Sequence, residues 1–269
     1  MPDCRKFSNV LITGASSGLG EEYALQLAGR AGRMVLTARR TDLLQSLAAR
    51  ILHTHPALQV TVMAADLAKP EDRIALAEKL SGEGIVPDLL VNNAGLGDYG
   101  EFASAEWPKL EIMMRVNVEA LTHLAHLLAP GMIRSGGGAI LNVSSLASLL
   151  PIPDFAVYAA TKAYVTSFSE ALRIELREHG VDVLAVCPGP VHTEFGIIAR
   201  RNENSPGMPS REWFYVAREQ VVADSLAALD HKRARVYPGL KIAAAAMVLS
   251  ALPMALLRVV MSRRPRRNG

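Results

Sequence analysis

Short, unbroken apolar runs alternate with longer helical stretches along most of the chain, and this alternation limits the possible folds more than any other feature. NVLIT is followed by EEYALQLAGRA, MVLTA by TDLLQSLAARIL, and QVTVM completes the first set. Each run is too continuously apolar for a strand with one wet face, so helices are expected over both faces of a parallel sheet. The rhythm resumes with PDLLVNNAG, a long helical segment around residues 104–129, AILNVSS, a helix from about Phe155 to His179, and VDVLAVCPG. The expectation is an α/β fold, a doubly wound parallel sheet of about seven strands.

Composition agrees with one large core. The chain has 269 residues and is 50% hydrophobic, ordinary for a single α/β domain. Its formal net charge is +3, and four arginines, Arg263, Arg264, Arg266 and Arg267, fall in the last seven residues, so no nucleic-acid surface is expected. Cys4 and Cys187 form no disulfide framework or metal-ligand spacing, none of the seven histidines has ligand spacing, and a reducing, cytoplasmic setting fits. The N-terminal residues show no apolar secretory segment. Residues 201–211 (RNENSPGMPSR) read as the most loop-like stretch.

A glycine turn, Gly14-Ala15-Ser16-Ser17-Gly18-Leu19-Gly20, separates the first strand from the first helix. Glycines let the backbone bend tightly and approach a phosphate, and the helix start offers unpaired N–H groups and partial positive charge. The spacing is Gly-x3-Gly-x-Gly rather than the general dinucleotide fingerprint. The second strand ends in Arg39 and Arg40, where an NAD site would carry a carboxylate for the ribose 2′-hydroxyl. Guanidinium groups suit a 2′-phosphate instead, so NADP(H) is the expected cofactor. Asp42 is expected to cap the next helix.

Tyr158 and Lys162 stand four apart on the helix after AILNVSS and so share one face. A tyrosine acting near neutral pH needs its pKa of about 10 lowered by about 3 units, or about 4 kcal/mol. An ammonium about 4 Å away at an effective dielectric of about 20 supplies roughly that much. The spacing recurs by chance in many helices and does not by itself single out this pair.

The surrounding motifs do. Thr13 to Gly20, Asp66-Leu67, Asn92-Asn93-Ala94-Gly95, Asn117, Ser144-Ser145, Tyr158 with Lys162, and Pro188-Gly189 follow one another in an order that resembles the short-chain dehydrogenase/reductase family over residues 8–195. The resemblance implies a Rossmann-type fold, a nicotinamide cofactor and a Ser-Tyr-Lys-Asn catalytic group: Ser145, Tyr158, Lys162 and Asn117. Ser145 lies thirteen residues before Tyr158, the family's usual interval, so the resemblance gives it the substrate-oxygen contact and leaves Ser144 as its structural neighbour. Asn117 would steady a water beside Lys162. Around the cofactor, the resemblance places Gly14, Ser16, Ser17, Gly18, Leu19 and Gly20 at the phosphates and Asp66 and Leu67 at the adenine. Asn92, Asn93, Ala94 and Gly95 would form the wall under the ribose and help to hold the central sheet. Pro188, Gly189, Val191 and Thr193 would meet the carboxamide, while Tyr158 and Lys162 also touch the cofactor. Family members commonly form homodimers or homotetramers.

Residues 1–237 read as one dinucleotide-binding and catalytic domain and residues 238–269 as an apolar and basic C-terminal extension. Residues 194–216 occupy the family's variable substrate segment. Phe195, Ile197, Ile198, Trp213, Phe214 and Tyr215 there suggest a small hydrophobic carbonyl or alcohol substrate, and Arg200, Arg201 and Arg211 stand ready for an anionic head or for solvent. Ile242 to Leu257 is apolar apart from Ser250 and Pro253, but sixteen residues fall short of the roughly 20 that span a bilayer. Three readings stay open for it: a pocket cover, an oligomer interface, or a helix at a membrane surface. The expected function is hydride transfer between NADP(H) and a hydrophobic ketone or secondary alcohol, such as a 3-oxoacyl-like, polyketide-like or steroid-like compound. A redox sensor or scaffold that binds NADP(H) without turnover is the alternative.

Overall fold

The computed structural model describes residues 4–201 and 212–262. Seven strands lie in these residues: β1 (Phe7–Thr13), β2 (Ala31–Ala38), β3 (Gln59–Ala64), β4 (Leu89–Asn92), β5 (Gly138–Val143), β6 (Val181–Val186) and β7 (Arg235–Val236). They form one sheet in the order β3-β2-β1-β4-β5-β6-β7, every neighbouring pair parallel. The chain winds outward from β1 to one edge, returns to β4 beside β1, and winds outward to the other edge. This is the doubly wound Rossmann-type arrangement, and its switch point lies between β1 and β4.

Helices α1 (Gly18–Leu27), α2 (Thr41–Thr54), α3 (Pro70–Gly82), α4 (Trp107–Met114), α5 (Leu121–Arg134) and α6 (Ala156–Leu176) make the crossovers. The short α7 (Phe195–Ile198) and then α8 (Arg218–Asp230) follow β6, while α9 (Leu240–Ala251) and α10 (Met254–Ser262) come after β7. Successive strand residues feed opposite layers. Val10, Ile12, Leu36, Val91 and Val186 pack with Tyr23, Leu27, Leu47, Ile51 and Leu226 of α1, α2 and α8. Leu11, Val35, Leu90, Ile140 and Val183 pack on the other side with Leu76, Leu80, Leu124, Leu128 and Leu176 of α3, α5 and α6. Each such side chain contributes about 1.5–3 kcal/mol by leaving water, which is why the strands are apolar on both faces.

Three local expectations change. The helical segment expected around residues 104–129 is α4, a π-helical turn over Arg115–Ala120, and α5 reaching Arg134. Asp42 lies in the first turn of α2, but the N-cap is Arg40 and no side chain caps it; the Asp42 carboxylate instead faces the positive end of the helix dipole. The loop expected over 201–211 falls almost wholly outside the described residues, as does Arg211.

The turn after β1 is held by close packing. Gly14 and Gly18 adopt φ of +64° and +61°. A Cβ on Gly20 would stand 2.2 Å from the Gly14 carbonyl oxygen and 2.5 Å from Asn93 Nδ2. Gly20→Ala is therefore expected to destabilise the protein by about 1–3 kcal/mol, read as a lowered urea midpoint with an unchanged slope.

Candidate active site

A cleft of about 670 Å³ runs across the C-terminal ends of the strands. One end is bordered by Arg39, Arg40, Asp66 and Leu67, its floor by Gly14, Ser16, Ser17, Gly18 and Leu19, and the far end by Ser145, Tyr158, Lys162, Pro188, Gly189, Val191 and Thr193. Residues as far apart in sequence as Gly14 and Tyr215 therefore share one crevice, at the switch point where such sheets bind ligands.

The floor suits an anion. Ser17 is the N-cap of α1 and no side chain caps that turn, which leaves the first N–H groups of the helix without side-chain partners. Asn93 Nδ2 donates to the carbonyls of Thr13 and Gly14 at 3.0 and 3.2 Å, while Thr13 Oγ1 accepts from the N–H groups of Asn93 and Ala94, both at 3.0 Å. These bonds tie the ends of β1 and β4 together and hold the turn open.

Arg40 is already engaged. Its Nη2 donates to Ser17 Oγ at 2.9 Å, Ser16 Oγ at 3.2 Å and Glu194 Oε2 at 2.9 Å. Hydrogen bonds from Arg40 and Ser17 hold the Glu194 carboxyl below its ordinary range. Glu194 lines the cleft and was missed in the sequence, where nothing signals a partner 154 residues from Arg40. Arg39 is exposed at the rim and has no ion-pair or hydrogen-bond partner among the described residues.

Tyr158 and Lys162 project from α6, and both are buried. Lys162 Nζ donates to the Val143 carbonyl at 2.8 Å and lies 5.7 Å from the Tyr158 ring centre. Burial pushes the Tyr158 phenol up to about 12, against a smaller downward pull from a hydrogen bond with Ser145. Burial also pushes the Lys162 ammonium down to about 8. The direction is opposite to the expected lowering, because desolvation disfavours the charged form of each group. At neutral pH the phenol holds its proton.

Ser145 Oγ accepts from Ala147 N–H at 3.1 Å, which leaves its own hydrogen free to donate. Ser144 points away: its Oγ donates to the Lys162 carbonyl at 2.8 Å and pairs with Thr166 Oγ1 at 2.6 Å, buttressing the sheet against α6. Asn117 sits on the π-helical turn, a widened turn of a kind frequent at functional sites. Its Oδ1 accepts from Leu96 N–H at 2.8 Å, and its Nδ2 donates to the Leu96 carbonyl at 2.9 Å and to Thr161 Oγ1 at 3.1 Å. A Cβ on Gly95 would be 3.4 Å from both Asn117 Oδ1 and Lys162 Nζ, so these two side chains flank Gly95.

Two residues expected around the cofactor do not line the cleft. Gly20 packs behind the turn, where its missing side chain allows α1 to meet β1. Asn92 is buried in the sheet, its Nδ2 donating to Asn142 Oδ1 at 3.0 Å and the Leu121 carbonyl at 3.3 Å, so it holds β4, β5 and α5 and forms no wall of the cleft. The substrate end also contains an aromatic stack that the sequence reading overlooked. Phe155 stacks on Tyr158 with ring centres 4.1 Å apart, and Phe195 tilts over it at 5.3 Å. Phe155 precedes Tyr158 by three positions near the start of α6, a spacing that could have revealed it. Arg201 is not offered to a substrate: Asp98 binds its Nη2 at 2.7 Å. Burial alone would raise the Asp98 carboxyl, but Arg201 and Lys109 more than offset it and hold it below its ordinary value.

A doubly wound sheet with a glycine turn and a buried Tyr-Lys pair at one cleft is an arrangement suited to a nucleotide-dependent oxidoreductase. The match of residues 8–204 to the short chain dehydrogenase model is decisive, and the chain belongs to that family. It is 37% identical over 179 residues to the very-long-chain 3-oxoacyl-CoA reductase of Phaeosphaeria nodorum, covering 65% of this chain and 52% of that protein. It is 33% identical over 199 residues to the probable oxidoreductase EphD of Mycobacterium tuberculosis, covering 74% of this chain and 33% of that one. The chain thus spans about half the length of the first of these curated relatives and about one third of the second. Among solved structures, a short-chain dehydrogenase from Sphingobium yanoikuyae in complex with NADPH matches with a TM-score of 0.79 and 32% identity, over 97% of this chain and 98% of that one. The bulky-bulky ketone specific alcohol dehydrogenase from Comamonas testosteroni matches with a TM-score of 0.76 and 28% identity, over 97% and 96%.

The buried lysine has a measurable signature. With its folded pKa at about 8 against an ordinary 10.5, the folded state binds fewer protons between those values, so this group makes stability rise with pH across that window. Lys162→Met removes that contribution. The variant's stability relative to the parent is expected to be highest at or below pH 8 and to decline toward pH 10.5, measured by urea unfolding across the range.

Proposed function

We propose that the chain is an NADP(H)-dependent carbonyl reductase acting on hydrophobic ketones, with oxidation of the corresponding secondary alcohols as the reverse reaction. The observation that carries this reading is the placement of Tyr158, buried beside Lys162 and between two phenylalanines, in a cleft that also takes in Ser145 and the glycine turn and reaches Arg39. The NADPH bound to the Sphingobium relative, the 3-oxoacyl-CoA substrate in the fungal relative's name and the bulky ketones of the Comamonas enzyme support it.

The residues present suit the cofactor. The turn and the uncapped start of α1 would hold its pyrophosphate, Asp66 and Leu67 its adenine, Arg39 the 2′-phosphate, and Pro188 to Thr193 its nicotinamide end. When bound, this group supplies the hydride. Ser145 donates a hydrogen bond to the substrate oxygen and holds it beside Tyr158. Tyr158 gives its phenolic proton to that oxygen as negative charge grows there. Lys162, its ammonium anchored on Val143, stabilises the phenolate left behind. Asn117 keeps the Gly95–Leu96 backbone fixed beside Lys162, and Phe155 and Phe195 exclude water from the reacting atoms.

Tyr158→Phe is expected to lower turnover by roughly 10²–10⁴-fold in an assay of NADPH absorbance against a panel of hydrophobic ketones. A fluorescence titration of NADPH should remain within about twofold of the parent. Retained turnover would overturn the mechanism. Absence of turnover in the parent with every ketone and alcohol, despite tight cofactor binding, would favour the sensor reading. Arg39→Ala should weaken NADPH by about 10–100-fold and leave NADH nearly unchanged, since the lost contact is a charged hydrogen bond to the 2′-phosphate.

A further inference from the structure

The C-terminal helices divide their surface in an unusual way. Ile242 and Ala246 of α9 are buried against Leu146, and Ile242 also closes on Gly189, where a Cβ would stand 2.3 Å from it. Leu146 and Gly189 line the cleft, so this side of α9 packs behind that end of its lining. The remaining apolar side chains face outward. Leu240 is 91% exposed, Met247 75% and Val248 60%, and Met254, Leu256, Val259 and Val260 of α10 are exposed with them. Trp213 is exposed beside them, with Lys241 Nζ 5.9 Å from its ring centre. So large a cluster of aliphatic side chains marks a binding surface rather than ordinary solvent contact.

Charge decides between its possible occupants. Residues 240–269 contain Lys241, Arg258, Arg263, Arg264, Arg266 and Arg267 and no acidic residue, which is +6. The preceding 239 residues hold 23 lysines and arginines against 26 acids, a net of −3. A second copy meeting this face through the same face would bring two +6 segments together, which like-charge repulsion opposes. A surface of negatively charged headgroups over an apolar layer complements both properties at once.

Length settles how the helices would lie. The 12 residues of α9 and nine of α10 extend about 18 and 14 Å, against a hydrocarbon layer of about 30 Å, and they meet at a 114° bend. Among the described residues no single helix is long and apolar enough to cross a membrane. A partly exposed tryptophan next to a lysine is the pairing that sits at the headgroup level. We propose that α9 and α10 dock the protein on an anionic lipid surface, whose charge complements the +6 of residues 240–269, lying in its plane with the Leu146 and Gly189 end of the cleft beside it.

This proposal does not depend on the redox reading, and its test measures binding alone. The full chain is sedimented with phosphatidylcholine vesicles and with the same vesicles containing about 30% phosphatidylglycerol. At least about tenfold stronger partitioning to the anionic vesicles is expected, falling sharply at about 0.5 M salt. Val248→Glu combined with Val260→Glu should reduce it by about tenfold or more, as should changing Arg263, Arg264, Arg266 and Arg267 to Gln. Circular dichroism and the unfolding midpoint should match the parent in both variants; Val248 and Val260 are exposed, so their replacement leaves the core intact. Equal partitioning to both vesicle types, no partitioning, or partitioning that survives both variants would overturn the proposal. So would a lipid-free dimer, seen by light scattering, that the Val248/Val260 variant dissociates, because the face would then belong to a second copy.

Discussion

The ends of β1 and β4 lie side by side with almost no side-chain volume between them, and the cleft depends on that closeness. Gly14 and Gly20 let the turn fold onto itself and onto Asn93 and Ala94, while Thr13 and Asn93 exchange hydrogen bonds that fix the spacing. A side chain at Gly20 would have to occupy the space of the Gly14 carbonyl. The uncapped start of α1 is therefore aimed along the crevice by packing that leaves it no alternative orientation. The same closeness explains the Asn92–Asn142 pair one layer deeper, where a buried amide on one strand satisfies a buried amide on the next.

At the other end of the crevice, the controlling factor is the removal of water. Tyr158 and Lys162 are drawn out of solvent by Phe155, Phe195 and the sheet, and each is pushed toward its neutral form. In the proposed reduction such a phenol serves as the proton donor to a carbonyl oxygen gaining charge. The lysine remains close enough to favour the phenolate once the proton leaves. Burial thus sets the resting state, and attraction within the pair acts on the state that follows. Arg40 and Glu194 bridge the glycine turn to the segment after Thr193, so the two ends of the cleft are joined by an ion pair as well as by the sheet.

The apolar, doubly covered strands and the glycine turn were legible because each is a local pattern: period, continuity and the absence of a Cβ are properties of neighbouring residues. Tyr158, Lys162 and Ser145 were legible through their order along the chain and their intervals, and the structure brings all three to one cleft. Asn92 and Gly20 were read as lining that cleft because they belong to motifs around it, but a motif says nothing about which of its members face inward. The helix expected around residues 104–129 concealed a π-helical turn, since a widened turn carries no change in apolar period long enough to notice.

By itself, the sequence determined the fold class, the strand count and the glycine turn after the first strand, because these rest on short-range spacing and residue chemistry, while the proposed catalytic group came from the order of motifs that resembles the family. Only the tertiary structure decided the burial of Tyr158, the engagement of Arg40 by Glu194 and of Arg201 by Asp98, and which side of α9 is covered. Each of these depends on burial or on a partner more than 100 residues away, and neither desolvation nor a distant contact leaves a trace in the local order of residues.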